Sequence, residues 1–298
     1  MDYNVFCEEV KDRVRDICGE DFNVSVRDTL KNNSVILKGL VIMGKESNVA
    51  PSIYLEEFYT DHCDGRDMDD IVNDILKLYA KNRDCGNLDV NLFNNFEEIR
   101  SRITYKLINY ESNLSLLQTL PHRRFLDLAV VYLVVLGETP RGQATVTIHT
   151  EHMENWGTTE EELWKLAADN APRLSKPEIM SLCDLVKDMM GQMPDMMDEG
   201  IPADAGMYVL TNTSRINGVA CMLYDDVVSG FAGGLGKDLY IIPSSIHEVI
   251  MMPADGYTDV DRMIDIIKEV NSTQVGEEEI LSYRLYRYSR SADRISCL

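Results

Sequence analysis

Along residues 3–18 apolar side chains recur every three to four positions, with Phe6, Val10, Val14 and Ile17 on one stripe and Gly19 as the stop. That spacing predicts an amphipathic helix. Two strand-like runs follow, Phe22 to Val26 and Val35 to Met43, joined through Lys31-Asn32-Asn33-Ser34. Asparagine tolerates the left-handed backbone of tight turns, so a hairpin is predicted. Helical spacing returns over 67–80, with Asp67 as N-cap and Met68, Ile71, Val72, Ile75, Leu76 and Tyr79 on the buried side. A third helix is predicted over 92–103, then extended chain over 104–110 and 125–136. The second of these runs, FLDLAVVYLVVL, is rich in β-branched and aromatic residues and suits a central strand buried on both faces. Residues 141–150 read as a further strand.

Two capping boxes come next, Thr159-x-x-Glu162 ahead of a helix over 160–171 and Ser175-x-x-Glu178 ahead of one over 176–190. In such a box a hydroxyl and a carboxylate satisfy backbone donors reciprocally, which gives Glu162 and Glu178 structural work. The pattern then breaks from Asp188 to Ala205, where five methionines alternate with proline, aspartate and glycine. This stretch reads as a linker; methionine-rich surfaces also adapt to partners. Beyond it, strands at 206–212 and 218–224 form a predicted hairpin. A helix at 225–235, strands at 238–242 and 246–252, a helix at 259–270 capped by Thr258, and an extended segment at 281–288 complete the pattern. The order is that of an α+β protein, with mixed or antiparallel sheets and helices packed on them. Two domains are expected, an N-terminal one over 1–190 and a C-terminal one over 206–298, with the linker at 191–205.

Composition narrows the class. With 298 residues and 45% hydrophobic content, the chain buries a sizeable core without disulfide or metal staples. Its net charge of −21 repels phosphate backbones and anionic membranes, so nucleic acid and membrane surfaces are disfavoured as partners. The seven cysteines are odd in number and form no CxxC pair, as expected of reduced thiols in a cytoplasmic protein. The acidic start, MDYNVFCEEVKD, lacks the apolar stretch of a secretory leader, and the longest apolar run, Leu128 to Leu136, is too short to span a bilayer.

Candidate chemistry is sparse. His247-Glu248 opens HEVIM, but Met251 stands where a zinc protease helix needs its second histidine, and the segment alternates like a strand. What survives is the polar group Ser244, Ser245, His247 and Glu248. His149-Thr150-Glu151-His152 is the densest ligand-type cluster; if extended, residues 149 and 151 share a face and a weak divalent site with a third ligand elsewhere is conceivable, against a solvated loop. SGFAGGLGKD at 229–238 fails the phosphate-loop spacing, with Phe231 and Asp238 at required positions, and its glycines read as helix ends. Arg284, Arg287, Arg290 and Arg294, interleaved with Tyr283, Tyr286 and Tyr288, form the one basic-aromatic patch, read as an intramolecular or partner contact. No cofactor is expected.

Four stretches, NNSVILKGLVI (32–42), PSIYLEEFY (51–59), LTNTSRINGVACMLY (210–224) and DLYIIPSSIHEVIMMP (238–253), together resemble a bacterial family catalogued as a domain of unknown function. The resemblance implies a bacterial cytoplasmic protein and brings no catalytic residue with it. It directs attention to Asn212, Arg215, Asn217, Ser244, Ser245, His247 and Glu248, which two neighbouring turns supply. Two readings compete: a non-enzymatic binding or regulatory protein that engages a protein or small molecule, and a hydrolase or metal-dependent enzyme centred on Ser244–Glu248 or His149–His152. The lack of a complete catalytic constellation favours the first.

Overall fold

Asp2 starts helix α1, Tyr3–Cys18, by accepting the Asn4 N–H at 2.9 Å, and the helix buries Phe6, Cys7, Val10 and Val14. Ile17, expected on that stripe, is 60% exposed; Cys18, four residues on from Val14, packs against the core in its place. The computed structural model describes residues 1–45, 50–82, 93, 95–139, 142–185, 206–255 and 258–298. Strands β1 (Phe22–Leu30), β2 (Ile36–Gly44) and β3 (Ser52–Tyr54) form an antiparallel sheet in that order. Helices α2 (Glu56–Cys63) and α3 (Met68–Asn82) pack on it with α1. Phe6, Val10, Leu40, Ile42, Ile71 and Ile75 belong to a core of its own.

The β1–β2 hairpin turns through Asn32–Ser34, where Asn33 and Ser34 take left-handed φ of 58° and 61°. Asparagine is the residue that bears this conformation most readily among those with a side chain. The turn also joins the N-terminal unit to the rest. Asn113 is fully buried and accepts the Asn33 N–H at 2.8 Å, while its own amide donates to Asn33 Oδ1 at 3.0 Å and to the Asn109 carbonyl at 2.8 Å. Asn33 Nδ2 donates to the carbonyls of Glu277 and Ile280, and Asn32 Nδ2 donates to that of Glu278.

A second sheet holds β4 (Ile103–Asn109), β5 (His122–Phe125), β6 (Leu128–Thr139) and β7 (Gly142–Thr147), with β6 hydrogen-bonded to the other three. Short helices α4 (Phe96–Ile99) and α5 (Leu114–Leu117) flank β4. β6 is the central strand expected from its composition, but it begins at Leu128 and not at Phe125, which ends β5; Leu126 turns the chain between them at a left-handed φ of 56°. Val130, Tyr132 and Val134 face the main core, while Ala129 and Val131 meet Ile108, Leu117 and Leu120 on the other side. After β7, helix α6 covers Thr150–Trp156 and α7 covers Glu160–Leu174. Thr159 caps α7 as predicted, accepting the Glu162 N–H at 3.3 Å, but the Glu162 carboxylate takes the Thr158 hydroxyl at 2.9 Å.

The third sheet is antiparallel throughout, in the order β13-β12-β10-β11-β9-β8. Its strands are β8 (Pro177–Ser181), β9 (Tyr208–Asn212), β10 (Leu239–Pro243), β11 (Val249–Pro253), β12 (Tyr286–Ser289) and β13 (Arg294–Cys297). Helix α8 (Val227–Leu235) lies between β9 and β10 in sequence, and α9 (Val260–Thr273) between β11 and β12. One core includes Tyr132 and Leu163 from the second sheet and its helix together with Leu210, Met251 and Tyr286 from the third.

Three further predicted elements are corrected. Residues 177–181 are strand β8, not the start of a helix; Ser175 ends α7, and Glu178 sits opposite Thr211 in the ladder. Residues 218–223 form a 3-10 turn instead of a strand, entered through Asn217 at a left-handed φ of 52°, with Val219, Ala220, Cys221 and Met222 all buried. Helix α9 is capped by Asp259, which accepts the Arg262 N–H at 3.1 Å, one residue after the predicted Thr258. The predicted linker at 191–205 lies outside the described residues; β8 before it and β9 after it are paired, Ser181 opposite Tyr208. Cys7 and Cys221 are buried free thiols, Cys63 and Cys297 are exposed ones, and no described helix is long and apolar enough to cross a membrane.

Candidate functional site

Strand residues alternate between faces, so the third sheet presents two apolar surfaces. Leu210, Val249, Met251 and Ile241 face the main core. Val209, Ile250 and Ile242 are paired with one another across β9, β11 and β10 and face the other way. Helix α9 covers part of this outer face, with Ile267 against Tyr240 and Leu285. The remainder is open as two cavities of about 310 Å³ each. Both have Ser244 and Ile250 in their walls, so they adjoin as one cleft.

The two halves differ in chemistry. Ile242, Met252, Met263, Ile266 and Val270 line the half beneath α9, where Ile266 and Val270 are 49% and 41% exposed along its mouth. The other half has an apolar floor of Met180 and Val209 and a polar end formed by Arg215, Ser244 and Glu248. No hydrogen bond or ion pair engages the side chain of Arg215 or Glu248 among the described residues, whereas Arg13, Arg66 and Arg123 are each paired with acidic side chains.

The seven residues singled out in the two turns divide into framework and rim. Asn212, 2% exposed, accepts the Ser214 and Ile216 N–H groups on Oδ1 and donates to the Ile216 carbonyl at 2.9 Å. It thereby shapes the turn in which Arg215 holds a left-handed φ of 55°. Asn217 donates its N–H to His247 Nδ1 at 3.2 Å, and His247 Nε2 stands 3.4 Å from Glu279. Ser245 Oγ accepts the backbone N–H of His247 at 3.0 Å, and Thr211 Oγ1 donates to the His247 carbonyl at 2.8 Å. His247 and Glu248 are in the turn before β11, not on the strand itself. The hydrogen bonds of the imidazole run to Asn217 and toward Glu279, and the hydroxyl of Ser245 takes the His247 backbone. The Ser-His pairing that a nucleophile requires is thus not formed.

His149, Glu151 and His152 are at the start of α6 instead of on extended chain. His152 Nδ1 accepts the His149 N–H at 3.0 Å, and its ring stacks on Trp156 and meets Phe93 edge-on. Among the described residues no group of three histidine, cysteine, aspartate or glutamate side chains is placed to hold a metal ion. Burial, then the neighbouring His149, lowers the pKa of His152. Since the folded value lies below the unfolded one, this contribution is fully present above about 6.5 and is lost as the pH falls below it. The protection factor of the His149 amide, followed by NMR with the intrinsic exchange rate at each pH divided out, should fall on acidification, and in a His152→Ala variant it should be low at every pH. An amide equally protected at pH 5 and 7.5 would remove this role.

The family of unknown function DUF5688 matches residues 3–290 of the sequence. The chain belongs to DUF5688. No curated protein and no solved structure is significantly similar to it.

In this DUF5688 member, sequence reasoning found the polar rim and missed the apolar body of the cleft. A signal was present. Both Val249-Ile250-Met251-Met252 and Tyr208-Val209-Leu210 are apolar at every position, which is what a strand covered on both faces requires. Part of the basic-aromatic tail makes intramolecular contacts. Tyr286 and Tyr288 are buried in the core, Arg287 pairs with Asp238 at 3.0 Å, and Arg290 donates to the Gly236 carbonyl at 2.7 Å.

Proposed function

We propose that this is a non-enzymatic binding protein of the bacterial cytoplasm that takes a small molecule into the cleft on the outer face of its third sheet. The observation that carries this reading is the meeting of two cavities at Ser244 and Ile250, one apolar and one ending in unpaired charge. Ligand sites are concave, mostly apolar and equipped with a few convergent polar groups, commonly with volumes of roughly 300–1,000 Å³. The engagement of His247 with Asn217 and Glu279 argues for a binding role over hydrolysis. The cytoplasmic assignment rests on the free thiols and the family resemblance.

Nile red, an uncharged fluorophore that brightens in apolar surroundings, tests the cleft. The wild-type protein should bind it saturably, and Ile250→Trp, which fills the junction of the two cavities, should weaken binding at least tenfold while the far-UV circular dichroism stays unchanged. Equal binding by the two proteins, or none by the wild type, would overturn the reading.

A further inference from the structure

The cleft's polar end carries one positive and one negative side chain, Arg215 and Glu248, that do not pair with each other or with any other described side chain. Building on the cleft as the binding site, we infer that its ligand is a single-chain amphiphile with a dipolar headgroup, one anionic and one cationic centre, whose apolar chain runs beneath α9.

Charge argues for the headgroup. A purely anionic ligand would meet Arg215 but would sit beside Glu248 in the field of a chain with net charge −21. A purely cationic one would meet Glu248 and be repelled by Arg215. A dipolar head brings no net charge, gives the guanidinium an anion and gives the carboxylate a cation, and leaves Ser244 Oγ to donate to the anionic centre. Neither side chain has to give up an existing ion pair to make these contacts. The Asn212 amide holds the turn of Arg215 through the Ser214 and Ile216 N–H groups, so the guanidinium's backbone is already placed before a ligand arrives.

Shape argues for the chain. The half beneath α9 is lined by Ile242, Met252, Met263, Ile266 and Val270 and is nearly free of polar groups. Methionine has three rotatable bonds and a polarisable sulfur, so Met252 and Met263 adapt to the varied conformations of an alkyl chain. The polar half adjoins this lobe, with Ser244 and Ile250 lining both, so one extended ligand can place its head in the first and its tail in the second.

Four dodecyl amphiphiles distinguish the possible heads when titrated calorimetrically below their micelle-forming concentrations: dodecylphosphocholine (dipolar), dodecanoate (anionic), dodecyltrimethylammonium (cationic) and dodecyl maltoside (neutral). Dodecylphosphocholine should bind one to one and at least tenfold more tightly than the other three. Arg215→Gln and Glu248→Gln should each bring it down to the level of dodecyl maltoside. Unchanged far-UV circular dichroism and thermal unfolding midpoints would show that both variants keep the fold. Comparable affinity for dodecanoate or dodecyl maltoside, or a dipolar preference that survives both substitutions, would overturn the inference while leaving the cleft reading in place. Failure of the wild-type protein to bind even Nile red would remove both.

Discussion

Asn113→Ala is expected to lower the stability of the chain by about 3 kcal/mol, the scale of leaving buried hydrogen-bonding groups without partners. Asn113 is fully buried and makes three hydrogen bonds, two of them with Asn33. Alanine removes all three and leaves the half-buried Asn33 N–H and side-chain oxygen without these partners. The N-terminal unit keeps its own core, so part of the loss should appear as local opening. Urea unfolding measures the total, and hydrogen exchange should rise at 32–34 and 277–281 before it rises within α1 or α3. Asn33→Gly keeps the left-handed backbone and deletes the amide, so its cost combined with Asn113→Ala should fall well short of additive. Additive costs, or a loss below about 1 kcal/mol, would mean that the two asparagines do not act as one joint.

Gly218→Ala should be more damaging, at least about 3 kcal/mol, the upper end of what overpacking a core usually costs. A Cβ there would stand 2.3 Å from Thr211 Oγ1, 2.4 Å from the His247 carbonyl oxygen and 2.8 Å from the Asn212 nitrogen. Two of those atoms are backbone, so the turn carrying His247 must move away from β9. Glu248 and Ser244 belong to that turn, so whatever protein folds should also bind Nile red weakly. Thermal unfolding and dye titration read the two effects separately. A variant with wild-type midpoint and affinity would show that the turn yields without cost.

Much of the helical framework was legible because its signals are local. Asp67 and Thr159 cap the helices they precede, and the spacing of Phe6, Val10 and Val14 or of Ile71 and Ile75 marks the buried side. The central strand of the second sheet was legible from its unbroken apolar run. The misreadings arise where long-range pairing decides. Ser175-x-x-Glu178 has the letters of a capping box, yet residues 177–181 find a strand partner at 208–212, far along the chain. GVACML reads as extended, but Asn217 turns the backbone left-handed and packing encloses the segment on all sides, so no periodicity survives to reveal the 3-10 turn. At the cleft, Arg215, Ser244 and Glu248 stood out as polar residues in turns. Its walls, from β8, β9, β10, β11 and α9, are ordinary apolar residues that only the sheet order brings together.

The first sheet and its three helices close over their own core within residues 3–82, using contacts between segments near one another in sequence. The third sheet is different: β9 pairs with β11 and β10 with β12, and its inner face is completed by β6 and α7 from earlier in the chain. During synthesis the first unit therefore has all it needs soon after it leaves the ribosome, whereas the second sheet emerges with an apolar face that stays bare until the last strands are made. That interval, rather than the finished protein, is when the chain most needs a chaperone.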